Sequence, residues 1–382
     1  SIIASSKRHP ARIDYKMGLT RDGRILASQF KAVCDGGAYG MSTEGVMRKM
    51  AILGPGPYDI PNVKVDTYGI YTNNTPSGAF RTFGAMQSQF ATESMLDLAA
   101  EKLGLDPFEL RLRNSQQIGT TTHTQQRLNS VSFPQVLAAA RDGAEWAAGP
   151  PSVRGRLRAD LGGEGNRNHC SLGVRLRRQG HASNSARSNK AIKRGRGMAG
   201  SWYGIARTAA MDRAGAWVEL DDGGTAKVLT GVTEIGEGIL TVLAQVAAEE
   251  LGIRPEDVTL GDNDTARSPE AAHAGATRQT YMIANAVAIA CRDARAKFDR
   301  ELAQHWGVQP ELIEAFGGRI SVRGSDLSMS MADAVHLCKT QRGVVPVGSG
   351  SYTAHHTGLD PVDGSGKPWQ AYVFGCQVAE VE

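Results

Sequence analysis

The spacing of apolar residues switches repeatedly along the chain between strand-like alternation and helix-like recurrence, and this pattern constrains the fold most. Residues 11–18 and 24–35 alternate around the turn Arg21-Asp22-Gly23 and predict a hairpin, and residues 216–220 and 226–231 predict a second one. Further strands are predicted at 63–72, 258–261 and 371–381, and helices at 86–103, 107–114, 133–148, 240–251 and 280–304. Because no regular βαβ rhythm emerges, we predict an α+β fold of mixed antiparallel sheets with packed helices.

Length and composition limit the classes of protein to consider. A chain of 382 residues with 41% apolar and 21% charged residues can bury the cores of two or three domains. No apolar run reaches the roughly 18 residues needed to span a bilayer, so no membrane segment is predicted. The five cysteines stand far apart, which favours reduced thiols in the cytoplasm over an iron–sulfur or zinc site: Cys34, Cys170, Cys291, Cys338 and Cys376.

The basic charge of the chain is concentrated in residues 151–197. This segment holds ten Arg and two Lys against Asp160 and Glu164, while the whole chain has a net charge of +4. One interpretation is a basic nucleic-acid-binding or assembly protein, for which affinity would fall steeply with salt. The other is a solvated linker. We favour the linker, because no aromatic residue stands among the arginines to stack on bases.

Three glycine-containing segments lie where a predicted strand gives way to a predicted helix: residues 78–84, 233–238 and 274–280. In the first, Arg81 offers a planar donor fork and Phe83 a flat aromatic face, although an ordinary turn has the same composition. The other two open helices, where free N–H groups attract phosphate or other oxyanions. Glu237 can cap those N–H groups instead, so both interpretations of the second segment stay open.

Common catalytic and nucleotide-binding motifs are absent from the sequence or, in the case of GxGxxG, do not follow a predicted strand. There is no GxGxxG after a strand, no GxxxxGK[ST], no HExxH and no GxSxG, which disfavours dinucleotide, P-loop, zinc-protease and serine-hydrolase sites. His355 and His356 stand in a polar loop, where a surface position is expected.

Several segments, in the same order along the chain, resemble the molybdopterin-binding large subunit of the xanthine dehydrogenase and aldehyde oxidoreductase family. They are KRHP (7–10), GPGPYDIPNV (54–63), TNNTPSGAFRTFG (72–84), LGLDPFELRLRN (103–114), residues 231–238, ATRQTYMIANAV (276–287) and residues 372–382. The resemblance implies the fold of the molybdenum-cofactor-binding domains. It divides the chain into a first cofactor-binding region (1–150), a basic linker (151–197) and a second region (198–382) that is incomplete at its end.

The resemblance also implies roles for individual residues. Arg81 and Phe83 are expected at the catalytic centre, with no direct protein ligand to molybdenum. The substrate is expected to meet Phe83 and either Arg48 or Lys49. Family members often carry Gly where Thr82 stands and Gln where Glu237 stands. The expected cofactor-binding residues are Phe80, Arg81, Gly84, Gly236, Glu237, Gly238, Ala276, Thr277, Arg278, Gln279 and Thr280.

The activity implied is hydroxylation of an N-heteroaromatic compound such as nicotinate, or of an aldehyde, with water as the oxygen source. The implied cofactor is molybdenum-molybdopterin in its cytosine dinucleotide form, with electrons passing to 2Fe-2S and FAD on partner subunits in a cytoplasmic dimer of heteromers. A xanthine or purine dehydrogenase is an alternative, but it calls for an aromatic residue where Ile205-Ala206-Arg207 stands. The family's Val-Gly-Glu base motif is not found, so we expect that glutamate from another polypeptide or from remaining sequence of the molybdenum subunit.

Overall fold

The computed structural model describes residues 5–146, 170–175, 195–261 and 263–381. The chain divides into two units, each with its own core. Unit 1 consists of Ser1–Tyr203, Leu359–Lys367 and Ala371–Glu382, and unit 2 of Gly204–Gly358 and Pro368–Gln370. Most of the segment predicted as a basic linker (151–197) lies outside the described residues, and the predicted region boundaries stay a prediction.

The strands, in chain order, are β1 (Ala11–Leu19), β2 (Ile25–Gly37), β3 (Asn62–Tyr71), β4 (Cys170–Arg175), β5 (Gly195–Gly204), β6 (Arg213–Leu220), β7 (Ala226–Leu229), β8 (Val258–Leu260), β9 (Ile313–Phe316), β10 (Arg319–Val322), β11 (Ser328–Ser330), β12 (Val347–Thr353) and β13 (Tyr372–Val381). The α-helices are α1 (Thr43–Leu53), α2 (Ala85–Leu103), α3 (Pro107–Asn114), α4 (Phe133–Gly143), α5 (Ile239–Leu251), α6 (Ala284–Trp306) and α7 (Met331–Gln341). The predicted α+β class is confirmed. No helix in the described ranges is both long and apolar enough to cross a bilayer.

Unit 1 is built on a four-stranded sheet of order β3-β2-β1-β4. The predicted hairpin forms β1 and β2, whereas β3 runs parallel to β2, so the sheet is mixed. β4 pairs antiparallel with β1 although it lies inside the segment predicted as a linker. A strand paired through its backbone needs no particular charge pattern, which is why the basic composition did not predict it. A separate two-stranded sheet joins β5 and β13.

The helices of unit 1 begin and end at recognisable residues. Gly104 stops α2 in a left-handed conformation and returns its N–H to the last turn, as predicted. Asp106 caps α3 by accepting from the backbone N–H groups of Phe108 and Glu109. α4 ends earlier than predicted, at Gly143, shortly before Glu145 takes a positive φ of 46°. These helices cover a core that includes Tyr15, Phe30, Met95, Phe108 and Phe133.

A buried ion pair ties three elements of unit 1 together. The Arg111 guanidinium of α3 donates from Nε to the Glu93 carboxylate of α2 at 2.8 Å, and both side chains are almost fully buried. The same carboxylate accepts from the Tyr58 hydroxyl (2.6 Å) and from the Gly200 N–H of β5 (2.7 Å). A buried charge is tolerated when it is paired and hydrogen-bonded in this way.

Unit 2 carries a second mixed sheet of order β12-β6-β7-β8, in which β7 and β8 are parallel. The long α6 packs on β12, where a Cβ on Gly348 or Gly350 would overlap the backbone carbonyls of Ala290 and Ala286. Glycine on β12 therefore lets helix and sheet approach closely. A small sheet of order β11-β10-β9 completes the unit. The helix predicted at 280–304 begins as a π-helical turn, Gln279–Ile283, and continues as α6.

Candidate functional site

The loop before α2 holds three consecutive residues in the left-handed backbone region. Thr82, Phe83 and Gly84 have φ values of 76°, 49° and 102°. A Cβ on Gly84 would lie 2.7 Å from the backbone oxygen of Val46, so only glycine fits there. Left-handed conformations at non-glycine residues cost energy and concentrate at functional sites. The loop predicted from its composition thus consists of hydrogen-bonded turns with a left-handed backbone at three consecutive residues.

Some side chains of this loop are exposed to solvent, and others pack against the protein. Phe80 is half exposed and lies beneath the guanidinium of Arg8, 4.7 Å from its ring centroid. Arg81 is exposed. Phe83 is partly buried and lies against α1, where a Cβ on Gly45 would come within 3.0 Å of its ring. Phe83 is therefore supported on one side by α1, while the Arg81 side chain extends into solvent.

A buried lysine accompanies Phe83. Lys49 of α1 is 3% exposed, and its Nζ lies 5.6 Å from the ring centroid of Phe83 and 4.3 Å from that of Tyr203. The same Nζ donates to the Tyr203 hydroxyl at 2.8 Å. Burial lowers the pKa of Lys49 to about 8. Arg48, the other candidate, is exposed and pairs with Glu44 at 2.5 Å. The structure brings Lys49, not Arg48, to Phe83.

In unit 2, Glu234 organises the loop that precedes α5. Its carboxylate accepts from the backbone N–H groups of Gly236 (2.7 Å), Gly238 (3.0 Å) and Leu240 (3.4 Å). These backbone hydrogen bonds, led by that from Gly238, lower the pKa of Glu234. The N–H groups expected to attract a phosphate are therefore already occupied. Glu234 rather than Glu237 accepts from most of these N–H groups, and Glu237 accepts only from the N–H of Ile235 in this loop, at 3.0 Å.

The segment before α6 is held by a buried ion pair. Ala276 and Thr277 have φ values of 54° and 58°. Arg278 is fully buried and donates from Nη2 to Asp212 at 2.7 Å, with further hydrogen bonds to the carbonyls of Ala271, His273 and Arg213. The guanidinium of Arg278 thus anchors the segment. Thr277 and Thr280 are exposed.

The two loops of unit 2 meet at Gln279. Its Nε2 donates to Glu237 Oε1 at 2.5 Å and to the backbone oxygen of Thr233 at 3.2 Å. Its Oε1 is buried and accepts no hydrogen bond from the described residues. Two segments predicted to hold one cofactor, 42 residues apart in sequence, are therefore in direct contact. Across the described ranges, no three or more His, Cys, Asp or Glu side chains converge to bind a metal ion.

Comparison with known proteins decides the family. A model described as "Molybdopterin cofactor-binding domain" matches residues 172–382, and a second model with the same description matches residues 1–115. The chain belongs to the molybdopterin cofactor-binding domain family. The predicted membership of the xanthine dehydrogenase and aldehyde oxidoreductase family is confirmed, and the chain is a molybdopterin-binding portion of its large subunit. All three candidate loops lie within the matched residues.

Individual relatives are named after several enzymes. The chain is 28% identical, over all of its length and 46% of the relative's, to a probable xanthine dehydrogenase subunit of Bacillus subtilis. Over 40% of its length and 36% of the relative's, it is 40% identical to the nicotinate dehydrogenase large molybdopterin subunit of Eubacterium barkeri. Aldehyde oxidoreductase from Desulfovibrio gigas superposes with a TM-score of 0.71 at 27% identity, over 98% of this chain and 35% of that one. The chain spans less than half the length of these relatives.

Three residues of the site were not predicted. Glu234, Asp212 and Tyr203 shape the loops or contact Lys49, but none stands in a motif that indicates its partner. Asp212 and Arg278 are 66 residues apart in sequence, and Lys49 and Tyr203 are 154 apart. Only the role of Glu234 could have been predicted, from the segment Thr233 to Gly238. An acidic side chain just before two glycines can accept hydrogen bonds from their backbone N–H groups. The roles of the predicted site residues toward a cofactor or substrate stay predictions.

Proposed function

We propose that this chain is the cofactor-holding part of a molybdenum hydroxylase that oxidises an N-heteroaromatic compound carrying a carboxylate. The observation that supports it best is the group of Lys49, Phe83 and Tyr203 beside the left-handed loop. A flat aromatic face and an adjacent ammonium suit a planar, negatively charged substrate. The sequence predicted either an N-heteroaromatic compound or an aldehyde as substrate, and the proposal selects a carboxylated member of the first class. Purines, the substrates of the alternative enzyme, are included in the assay for comparison.

The cofactor fits the residues present. The buried, unpartnered oxygen of Gln279 lies between two loops of a molybdopterin-binding domain, and the side chain of Arg81 is exposed on the loop before α2. When bound, the molybdenum cofactor would supply the two-electron oxidation and the oxygen drawn from water. The chain's own residues would bind and orient these molecules. Gln279, Glu237 and Arg81 would contact the cofactor, and Phe83 and Lys49 would contact the substrate.

The substrate-facing group acts through charge and shape. With its pKa at about 8, Lys49 is mostly charged near neutral pH and can pair with a carboxylate. Its position at the face of the Tyr203 ring, and the hydrogen bond to that hydroxyl, reduce the freedom of the long side chain before substrate arrives. The Phe83 ring packs against Gly45 of α1, which limits its rotation on that side. Both groups would therefore be preorganised for one orientation of a planar ring.

Partners are proposed from the relatives. Several relatives are named as subunits, among them the gamma subunit of a 6-hydroxypseudooxynicotine dehydrogenase complex. These names support a multi-subunit enzyme. From the family resemblance we further propose 2Fe-2S and FAD subunits that receive the electrons, a dimer of heteromers in the cytoplasm, and the cytosine dinucleotide form of the cofactor. Remaining molybdenum-subunit sequence would supply the general base.

The experiment uses the native complex purified from its source. Metal and pterin analysis should find molybdenum and an organic pterin, and active complex devoid of both would refute the proposal. Dye reduction is then measured with carboxylated heteroaromatics, uncharged heteroaromatics, aldehydes and purines. Lys49→Met should raise the KM for a carboxylated substrate about tenfold or more and leave that for an uncharged one within about twofold, since one charge-assisted hydrogen bond is lost.

Arg48→Met is the matched control, because it removes the neighbouring, exposed cation of the same helix. It should leave the KM of every substrate unchanged. Equal effects of Lys49→Met on charged and uncharged substrates would show that Lys49 does not meet a carboxylate. Preference for purines or aldehydes in the wild-type complex would replace the proposed substrate class with one of the alternatives.

A further inference from the structure

The strand β3 forms one edge of the unit 1 sheet. In the sheet order β3-β2-β1-β4, β3 pairs with β2 and with no other strand of the described residues. An edge strand presents a row of unpaired backbone N–H and C=O groups, with which another extended chain can pair. We propose that residues 67–71 of β3 accept an extended, uncharged segment of a partner subunit, which adds to the sheet and places an apolar side chain in a neighbouring cavity. The existence of that subunit rests on the proposed function.

The two halves of β3 differ in charge. The first half carries Lys64 and Asp66, whose charged atoms lie 3.8 Å apart. Charged side chains on an edge strand hinder its pairing with other chains. Residues 67–71 contain no charged residue and no proline, and Thr, Tyr and Ile favour strands. Within them, Ile70 is 45% and Tyr71 74% exposed. The unprotected part of this edge is therefore limited to five residues, about 17 Å of strand.

A cavity of about 420 Å³ opens beside these five residues. Its lining includes Tyr71 at the end of β3, Met47 of α1, and the loop residues Tyr39 and Met41. Glu44 is the one charged residue of the lining, and its carboxylate already pairs with Arg48. A charged group placed in the cavity would lose hydration without gaining a free counter-charge. The cavity therefore favours an apolar side chain.

Two glycines give the cavity its shape. The Tyr71 ring lies over Gly40, where a Cβ would come within 2.7 Å of the Tyr71 hydroxyl oxygen, and Gly40 has a positive φ of 64°. On β3, a Cβ on Gly69 would overlap the side chain of Thr43 in α1. Only glycine allows these close approaches. The cavity is therefore built from the same packing of loop, helix and strand that leaves residues 67–71 at the edge of the sheet.

The exposed side chains indicate which kind of molecule covers this surface. Tyr39, Met41 and Tyr71 are 80%, 64% and 74% exposed. Tyrosine and methionine are enriched where proteins meet, and clustered exposed apolar groups mark such sites. Eleven residues line the cavity, whereas a stable interface uses roughly 20–30 on each side. A dimer of this chain held by this surface alone would therefore be too small. An extended segment of a subunit that is also held elsewhere in the complex fits it.

A cross-linking experiment identifies what lies on this edge. Tyr71 is replaced by photoreactive benzoylphenylalanine, and the same replacement at Leu26, 36% exposed at the other end of the β2–β3 pair, is the matched control. The intact complex is irradiated, and linked peptides are identified by mass spectrometry. The probe at Tyr71 should link to a short uncharged stretch of a partner subunit, and the probe at Leu26 should not link to that stretch. A link to a second copy of this chain, a link to remaining molybdenum-subunit sequence, or no link would overturn the proposal.

Substitutions on the edge measure its contribution to assembly. Tyr71→Ala removes one wall of the cavity and should raise the Kd for the partner subunit about thirtyfold, the effect of losing an interface hot spot. Ile70→Lys brings a charge to the pairing edge and should raise it about tenfold or more. Leu26→Lys, the matched control, should stay within about twofold. Native mass spectrometry of the diluted complex measures these constants.

Molybdenum and pterin contents show whether each variant is folded. Both should equal those of the wild-type complex, and for a variant that loses them the cross-link decides alone. Wild-type complex without pterin would refute the proposed function and leave the cross-link to decide this inference. Wild-type complex with pterin and partner subunits, joined by an unchanged Kd in folded Tyr71→Ala and Ile70→Lys, would overturn this inference and leave the proposed function intact.

Discussion

The ion pair of Asp212 and Arg278 should make unit 2 sensitive to a single substitution. Both side chains are fully buried. Nε and Nη2 of Arg278 donate to the Asp212 carboxylate at distances of 2.7–3.2 Å, and Asp212 Oδ2 also accepts from the N–H of Arg207 at 3.0 Å. Asp212→Asn preserves the shape but removes the negative charge, which leaves a buried guanidinium without its counter-charge.

The size of the effect follows from that burial. Breaking a buried pair by neutralising one partner costs about 3–5 kcal/mol, because the remaining charge stays desolvated. A unit of this size shifts its melting midpoint by about 2–4 °C per kcal/mol, so Asp212→Asn should lower the midpoint of unit 2 by about 6–20 °C. The double variant Asp212→Leu with Arg278→Met removes both charges and should recover most of that loss.

Calorimetry of the purified complex measures these midpoints. The control is Arg323→Met, which breaks a pair with Glu314 whose side chains are 63% and 48% exposed. Exposed pairs contribute little, so its midpoint should change by less than about 2 °C. A change of less than about 2 °C in the melting midpoint of Asp212→Asn would refute the reasoning that the desolvated charge of Arg278 causes the loss of stability. A double variant with a lower midpoint than Asp212→Asn would refute it as well.

Two further predictions concern Lys49 and the contact of β12 with α6. Because the charge of Lys49 is lost as pH rises through its pKa of about 8, the KM of the wild-type complex for a carboxylated substrate should rise above that pH. The arginine in the Lys49→Arg variant stays charged, so the steady-state KM of that variant should be constant up to about pH 10. The same rise in KM at alkaline pH in the wild-type complex and in the Lys49→Arg variant would contradict the assignment of this pH dependence to Lys49. Gly350→Ala places a Cβ on the Ala286 carbonyl and should destabilise unit 2 by about 1–3 kcal/mol in urea unfolding; an unchanged midpoint would show that β12 can move away.

Much of the fold could be predicted because its elements carry local patterns. The β1–β2 hairpin, α2 with its glycine stop and α5 follow from apolar spacing and from residues such as Gly104. Other elements were not predicted. The helix α1 carries Lys49 and lies in a stretch without a clear start or stop, and β4 pairs with β1 inside a segment dominated by arginine. The pairing of an edge strand, and the burial of a helix against residues far away in sequence, cannot be predicted from the pattern of neighbouring residues.

The sequence by itself determined the family, the α+β class and the three loops, because glycines before helices and ordered family segments are local in the chain. Only the tertiary structure decided what those loops can do. It placed Glu234 on the N–H groups assigned to a phosphate, turned Arg278 inward to Asp212, and left the Gln279 oxygen as a buried acceptor. It also brought Lys49, and not Arg48, close to Phe83. Hydrogen bonding and burial depend on which groups meet across long sequence distances, and that is fixed by packing rather than by neighbouring residues.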